Sequence, residues 1–81
     1  MWYVYITKTQ NGSLYTGITT DIERRLQEHK RKHYNPSEEV LYKEPLPNKF
    51  EAAKREKQIK GWTRRKKLAL IDGNLELLKK L

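Results

Sequence analysis

Hydrophobic and polar positions alternate at the start of the chain in a pattern that predicts a β-hairpin. Two runs rich in β-branched and aromatic residues, at positions 2–7 and 14–18, flank the dipeptide Asn11-Gly12. An Asn-Gly pair between two such runs is a strong short-range hairpin signal. Because side chains alternate faces along a strand, the loop length decides which of them share a face.

Two tyrosines of this hairpin meet only in one of its two registers. A two-residue loop would put Tyr5 and Tyr15 on opposite faces. A three-residue loop, with Gly12 in the left-handed conformation, would place Tyr5 across from Gly17 and Tyr15 across from Thr7. We predict this second register, in which both phenols share a face with a glycine that leaves room for them. Tyrosines that only pack the sheet are the simpler alternative, which this stretch by itself favours.

The sequence after the hairpin predicts a first helix over residues 21–29. Thr19, Thr20 and Asp21 are candidates for its N-cap, and Thr20 with Glu23 has the spacing of a capping box, in which each side chain bonds a backbone amide near the start of the helix. The helix is expected to end before the breaker at residues 35–36, an Asn-Pro pair.

The second half of the chain predicts one strand and at least two helices. A short strand over residues 40–42 is expected to be ended by Pro45 and Pro47. Asn48 is expected to cap a helix over residues 49–60, and Thr63 is expected to cap a helix over residues 64–71. The leucines of residues 75–81 form either a final helical turn that packs back or a frayed end. Because three strands cannot bury both sheet faces alone, helices must cover at least one face. We therefore predict an α+β fold: a three-stranded antiparallel sheet flanked by about three helices.

Length and composition limit the architecture further. The 81 residues suffice for a single domain over residues 1–81, with a core of about 2–71 and a C-terminal tail over 72–81. The chain has no cysteine, which excludes disulfides and thiolate metal sites and fits a reducing cytoplasm. No stretch approaches the ~20 apolar residues of a membrane span. We expect a cytoplasmic monomer that does not enter membranes.

The net charge of +8, from 18 Lys and Arg against 10 Asp and Glu, indicates a polyanionic partner. Nucleic acid is the partner we favour, and the sequence does not distinguish DNA from RNA. A basic protein without such a partner, or one that binds an anionic membrane surface, is the alternative. Trp62 is expected to anchor the core rather than stack on a base. The basic residues expected to follow a nucleic-acid backbone are Lys54, Arg55, Lys57, Lys60, Arg64 and Arg65.

Glu56 is the most informative residue of the helix over residues 49–60. Helical spacing places it in one stripe with Ala52 and Ile59, on or beside the packing face. An unpaired carboxylate there is costly, so it needs an arginine or a divalent metal as partner. A salt bridge to Arg25 or to a nearby lysine is the simpler alternative, which we favour on this evidence alone.

In chain order, the notable residues are Tyr3-Val4-Tyr5, Tyr15-Thr16-Gly17, Arg25, His29 and Glu56. This pattern resembles the GIY-YIG nuclease superfamily, and most closely its small stand-alone bacterial members. The resemblance extends from Trp2 to about Ile71. Its most specific part is the run from residue 14 to residue 29, supported by residues 51–60.

The chain departs from the family pattern at three positions. Tyr3 replaces the glycine of the first tripeptide, and Thr16 is the middle residue of the second; both positions belong to the framework. Asn74 is a weak match to an asparagine that the family often carries late in the domain. Larger relatives carry separate DNA-targeting domains, so a targeting protein is a conceivable partner of this chain.

The resemblance implies a metal-dependent endonuclease that hydrolyses DNA phosphodiester bonds with one Mg²⁺ or Mn²⁺. It implies that one phenol is the base while the other orients water, with Tyr5 favoured as the base, and that Arg25 stabilises the phosphate. His29 would be a relay or an alternative base, and Glu56 would hold the metal. The implied catalytic residues are Tyr5, Tyr15, Arg25, His29 and Glu56, with Gly17 as framework.

Two other hypotheses belong to different functional classes. A nucleic-acid-binding module on the same fold would bind in a salt-dependent way without cleaving. A purely structural basic adaptor would bind no nucleic acid, and it leaves the joint spacing of Tyr5, Tyr15, Arg25 and Glu56 unexplained.

Overall fold

A computed structural model describes residues 1–9, 11–24 and 39–81 of the chain. Three strands form an antiparallel sheet in the order β2-β1-β3: β1 (Trp2–Lys8), β2 (Leu14–Thr19) and β3 (Glu39–Leu46). Three helices follow: α1 (Lys49–Lys60), α2 (Arg64–Ile71) and α3 (Leu75–Lys80). The predicted α+β class and the three-stranded antiparallel sheet are confirmed. None of the helices in these ranges is long and apolar enough to cross a membrane.

The hairpin between β1 and β2 closes with a three-residue loop, as predicted. The amide of Thr9 donates to the carbonyl of Ser13 at 2.8 Å, and the amide of Gly12 donates to the carbonyl of Thr9 at 3.0 Å. Gly12 has φ of 86°, a conformation that a side chain would strain. Thr9 and Ser13 are therefore the last pair before the loop, as the predicted register requires.

The loop fixes the register of the hairpin. Tyr5 pairs with Gly17, and Thr7 pairs with Tyr15, so the predicted register is confirmed. Val4 and Ile6 point to the other face, where they are fully buried. We call the face of Tyr5 and Tyr15 the phenol face and the opposite one the core face.

The core face of the sheet is covered by the C-terminal helices. Val4 and Ile6 pack with Ala52 and Ile59 of α1 and with Leu70 of α2, and all five are buried. α1 lies mainly over β1 and β2. Burying apolar area at roughly 25 cal/mol per Å² is the main stabilising contribution available to such a small chain.

β3 is longer than the strand predicted over residues 40–42. It continues through Pro45, which pairs with Tyr3. The expectation that Pro45 ends the strand was wrong because β3 lies at the sheet edge, where a missing amide donor is tolerated. The strand does end directly before Pro47, at Leu46. A bulge accompanies the pairing: Ile6 pairs with Tyr42 and Thr7 pairs with Val40, which leaves one extra residue on β3.

The three C-terminal helices begin at side-chain caps. The bounds predicted for the first two are confirmed, with α1 ending at Gly61. The last leucines form α3, in which Leu78 packs against the core while Leu75 is exposed. Each cap oxygen accepts a hydrogen bond from an amide three residues later; the pairs are Asn48 and Glu51, Thr63 and Lys66, and Asn74 and Leu77.

The first predicted helix is described only at its start. Residues 22–24 are helical, and Asp21 caps them because its Oδ1 accepts the amide of Arg24 at 3.0 Å. The predicted capping box of Thr20 and Glu23 was wrong by one residue, because Asp21, and not Thr20, accepts the hydrogen bond from an amide of the first turn, that of Arg24. The rest of this helix, with Arg25 and His29, falls outside the described residues.

A polar network joins β3 to α1 on the core face. Arg55 Nε donates to Glu44 Oε2 at 3.1 Å, and Tyr42 Oη donates to Glu44 Oε1 at 2.7 Å. The Arg55 guanidinium lies 5.2 Å from the ring centroid of Trp62, and the Lys66 ammonium lies 4.5 Å from the same centroid. Trp62 also packs against the core, in line with its expected role as an anchor.

Burial and the neighbouring carboxylate raise the pKa of Tyr42. Burial contributes most, and the hydrogen bond to Glu44 adds to it, so the pKa rises from 10.0 to about 12. Since the folded state holds the phenolic proton more tightly than a free tyrosine does, the resulting stabilisation is complete below pH 10. It is lost as the pH rises toward about 12.

We expect Gly17→Ala to destabilise the fold by roughly 1–3 kcal/mol, as overpacking does. A Cβ at this position would lie 2.6 Å from Tyr5 Oη and 2.8 Å from Tyr5 Cζ, and the Tyr5 ring is too buried to move aside. Urea unfolding measures the change. Gly61→Ala is the control, since its Cβ would meet nothing nearer than 3.5 Å. Equal stability of the two variants would contradict this packing.

We expect Tyr42→Phe to lower stability by about 1 kcal/mol at neutral pH, because it removes the hydrogen bond to Glu44. The difference from wild type should shrink as the pH rises from 10 toward about 12, where wild type loses its advantage. Urea unfolding across this pH range checks the trend. Tyr3→Phe serves as a second phenol deletion on the sheet. A difference for Tyr42→Phe that stays constant with pH would sink the interpretation.

Candidate active site

Two phenol rings lie side by side over the glycine of β2. The ring centroids of Tyr5 and Tyr15 are 6.3 Å apart, with their planes at 50°. A Cβ built on Gly17 would lie 2.6 Å from Tyr5 Oη and 3.1 Å from Tyr15 Cε1, so the glycine makes the room that both rings use. The three residues are therefore brought together as predicted from the sequence.

The two phenols differ in their access to solvent. Tyr5 is 1% exposed, whereas Tyr15 is 43% exposed. A water molecule or a substrate phosphate can therefore approach Tyr15 more directly than it can approach Tyr5.

Lys43 lies on the phenol face, next to Tyr5. The two residues are cross-strand partners, and Lys43 is exposed. It also lines a cavity of about 380 Å³, together with Ile22, Glu23, Val40, Leu41 and Tyr42. Lys43 was not among the predicted site residues, because the predicted third strand stopped one residue before it. A strand extended through Pro45 would have placed it there by simple alternation.

Glu56 is half-buried on α1. It lies between the buried Ala52 and Ile59, as the helical stripe predicted. Its Oε2 is 3.7 Å from Lys60 Nζ, so the pairing with a nearby lysine is present. Because the Lys60 side chain is 53% exposed, this pair contributes little and leaves the carboxylate able to bind a cation.

The helix that carries Glu56 and the two phenol rings lie on opposite faces of the sheet. α1 packs through Ala52 and Ile59 on the core face, whereas Tyr5 and Tyr15 lie on the phenol face. The structure thus brings the phenols and Gly17 together, whereas Glu56 is carried by a helix that packs on the core face.

The donor chemistry of Glu56 fits a hydrated divalent cation. Carboxylate oxygens are the ligands that Mg²⁺ prefers, and this ion often keeps several waters and uses one or two carboxylates with substrate phosphates. Within residues 1–9, 11–24 and 39–81, no group of three or more His, Cys, Asp or Glu side chains could hold a metal. The described residues therefore do not form a metal site enclosed by protein ligands.

The predicted basic residues fall into two groups. Arg55 is paired with Glu44, and Arg64 donates from Nη1 to the carbonyl of Gly12 at 2.7 Å. The Arg64 contact ties α2 to the hairpin loop across 52 positions of sequence, which no local pattern could reveal. The residues that are exposed, as binding to a polyanion requires, are Lys54, Lys57, Lys60, Arg64 and Arg65; of these, Arg64 also holds the hairpin loop and Lys60 pairs with Glu56.

Three further residues complete the predicted site. Arg25 and His29 follow the helical turn at residues 22–24, beyond the described range, and their roles remain predictions. Asn74 accepts the amide of Leu77 at 3.1 Å as the cap of α3. Capping α3 is therefore a sufficient reason for an asparagine at position 74, and no role in the site is needed to explain it.

Comparison with known proteins gives consistent results. A UPF0213 protein of Staphylococcus saprophyticus is 43% identical over 75 residues, covering 85% of this chain and 92% of that protein. A UPF0213 protein of Staphylococcus aureus is 44% identical with the same coverage. The solution NMR structure of a UPF0213 protein from Bacillus halodurans is 35% identical and has a TM-score of 0.60, covering 89% of this chain and 84% of that one.

The family model described as the GIY-YIG catalytic domain matches residues 1–69. This range includes the hairpin with its phenol pair and Gly17, all of α1 with Glu56, and part of α2. The resemblance drawn from the sequence is confirmed, and the chain belongs to the GIY-YIG family, with a nuclease-type fold.

Proposed function

We propose that the protein is a metal-dependent endonuclease that hydrolyses DNA phosphodiester bonds. The observation that carries the proposal is the phenol pair: Tyr5 and Tyr15 share one face over Gly17, at the two tripeptides that name the family. The net charge of +8 supports a polyanionic substrate.

Hydrolysis of a phosphodiester needs a positioned water and positive charge near the phosphate oxygens. We assign the water to the phenol pair. The sequence favoured Tyr5 as the base, but the greater exposure of Tyr15 favours Tyr15 for contact with water, with Tyr5 holding its ring in place. Arg25 would contact phosphate oxygens in bidentate fashion, and His29 would relay the proton.

Glu56 would hold one Mg²⁺ or Mn²⁺. When bound, the ion supplies Lewis-acid polarisation of a phosphoryl oxygen. Since α1 lies over β1 and β2, and β2 forms a sheet edge, a phosphate at that edge is the one best placed to reach both Glu56 and the phenol face. Lys43, beside Tyr5 on that face, adds positive charge for the same nucleic acid.

A non-catalytic nucleic-acid-binding module is the second candidate. The observation that favours it is the placement of Glu56: its helix packs on the core face, and its carboxylate pairs with Lys60. A protein of this kind would keep the exposed lysines and their salt-dependent binding without cutting its ligand.

We expect cleavage of DNA that depends on Mg²⁺ or Mn²⁺ and that falls roughly 100-fold or more in Glu56→Gln and in Arg25→Ala. A panel of linear, nicked and branched DNA measures it, with binding followed in parallel. Glu51→Gln removes a carboxylate from the same helix and is the matched control, with activity near wild type.

Each outcome of that experiment is informative. Equal cutting by Glu56→Gln and wild type would overturn the metal site assigned to Glu56. Binding to every substrate without cutting would establish the binding module in place of the nuclease.

We expect Arg55→Ala to lower the stability of the fold and Lys57→Ala to weaken DNA binding, so that the two variants distinguish a structural cation from a binding one. Arg55→Ala leaves Glu44 without its guanidinium partner and should cost about 1–3 kcal/mol of stability. Lys57→Ala removes an exposed cation and should weaken DNA binding in low salt while leaving stability unchanged. Urea unfolding and a salt titration of binding measure the two effects. The reverse pattern would show that Arg55, rather than Lys57, contacts the nucleic acid.

A further inference from the structure

The outward side of α1 combines an exposed aromatic ring with lysines. A helix turns once every 3.6 residues, so positions 50, 53, 54 and 57 share one arc, opposite the buried Ala52 and Ile59. All four residues of this arc are exposed. We call the arc, formed by Phe50, Ala53, Lys54 and Lys57, the outer face of α1.

Phe50 contributes little to the fold. It is 73% exposed, more than any other aromatic residue in the described part of the chain, and it is absent from the packed core. A phenylalanine left in water forgoes the stabilisation that burial of its ring would give. By contrast, Trp62 packs against the core between two cations. The Phe50 ring is therefore available to a ligand.

The charges around this ring select the kind of ligand. Lys54 and Lys57 follow Phe50 on the same arc, whereas Glu51 and Glu56 lie on the flanks of the helix, outside it. An apolar ring beside two cations, with no carboxylate on the arc, complements a ligand that offers both flat apolar surfaces and negative charge. The bases and phosphates of nucleic acid have this combination.

We propose that the outer face of α1 binds single-stranded nucleic acid, with Phe50 stacking on an unpaired base while Lys54 and Lys57 contact phosphates. A ring stacks on a base face only when that face is free, which selects single strands over an intact duplex. This surface is distinct from the phenol face, because α1 packs on the core face. The inference rests on the proposed function in taking nucleic acid as ligand, but it does not require cleavage.

The test measures binding without divalent metal. The fluorescence anisotropy of three labelled ligands is followed: a short oligothymidine, a strand of the same length with abasic positions, and a duplex. We expect Phe50→Ala to bind oligothymidine roughly tenfold or more weakly, and to bind the abasic strand as wild type does. Leu75→Ala removes a side chain that is 64% exposed on α3, and it should match wild type on all three ligands.

The lysines are tested by their salt dependence. The double variant Lys54→Gln, Lys57→Gln should weaken binding to both single strands. It should also reduce the slope of log K against log salt by roughly 1.4, because each phosphate contact on a single strand contributes about 0.7.

The inference is overturned if Phe50→Ala binds oligothymidine as wild type does, or loses as much affinity for the abasic strand. Failure of wild type to bind oligothymidine, or a Phe50 effect confined to the duplex, overturns it as well. Metal-dependent cleavage by a protein in which Phe50→Ala has no effect on binding would refute the binding surface proposed here, but it would not refute the proposed nuclease function. Binding that depends on Phe50, by a protein that cleaves no DNA, would support the binding surface and refute the nuclease function.

Discussion

The register of the hairpin is the constraint on which the rest of the structure depends. A three-residue loop, closed by Gly12 at φ of 86°, fixes which residues of β1 and β2 share a face. A slip of one residue would move Val4 and Ile6 out of the core and separate Tyr5 from Gly17. The same turn geometry therefore determines both faces of the sheet. It places Val4 and Ile6 on the core face, which α1 covers, and it brings Tyr5 and Tyr15 together on the phenol face.

So small a core requires help from polar contacts. The Glu44 carboxylate accepts hydrogen bonds from a strand tyrosine and from Arg55 of α1. Arg55 stacks in turn on Trp62 in the turn before α2. One guanidinium thus joins the sheet edge, the first C-terminal helix and the turn that leads to the second. This explains why a strongly basic chain commits part of its positive charge to the fold instead of presenting all of it to a polyanion.

Local chemistry made the hairpin loop and the later helix bounds predictable, because Asn-Gly, side-chain caps and glycine stops act within a few residues. Features set by the position of a strand in the sheet were not predictable in this way: β3 passes through Pro45 because it is an edge strand. The full length of β3 places Lys43 on the phenol face and Glu44 beside Arg55. Because the predicted strand ended at residue 42, neither placement could be predicted from it. The phenol pair was predictable from its register, whereas the place of Glu56 relative to it depended on which face α1 covers.

α1 links the two surfaces proposed for nucleic acid. Its inner side packs over β1 and β2, its flank carries Glu56, and its outer face presents Phe50 with the lysines. A strand held on the outer face lies across the sheet from the phenols, and β2, over which α1 packs together with β1, is an edge strand of the sheet. Binding and cleavage would then act on different nucleotides of one strand. If the domain cleaves DNA as proposed, an unpaired segment beside the scissile bond would engage both proposed surfaces, and nicked or branched DNA would be cut in preference to a continuous duplex.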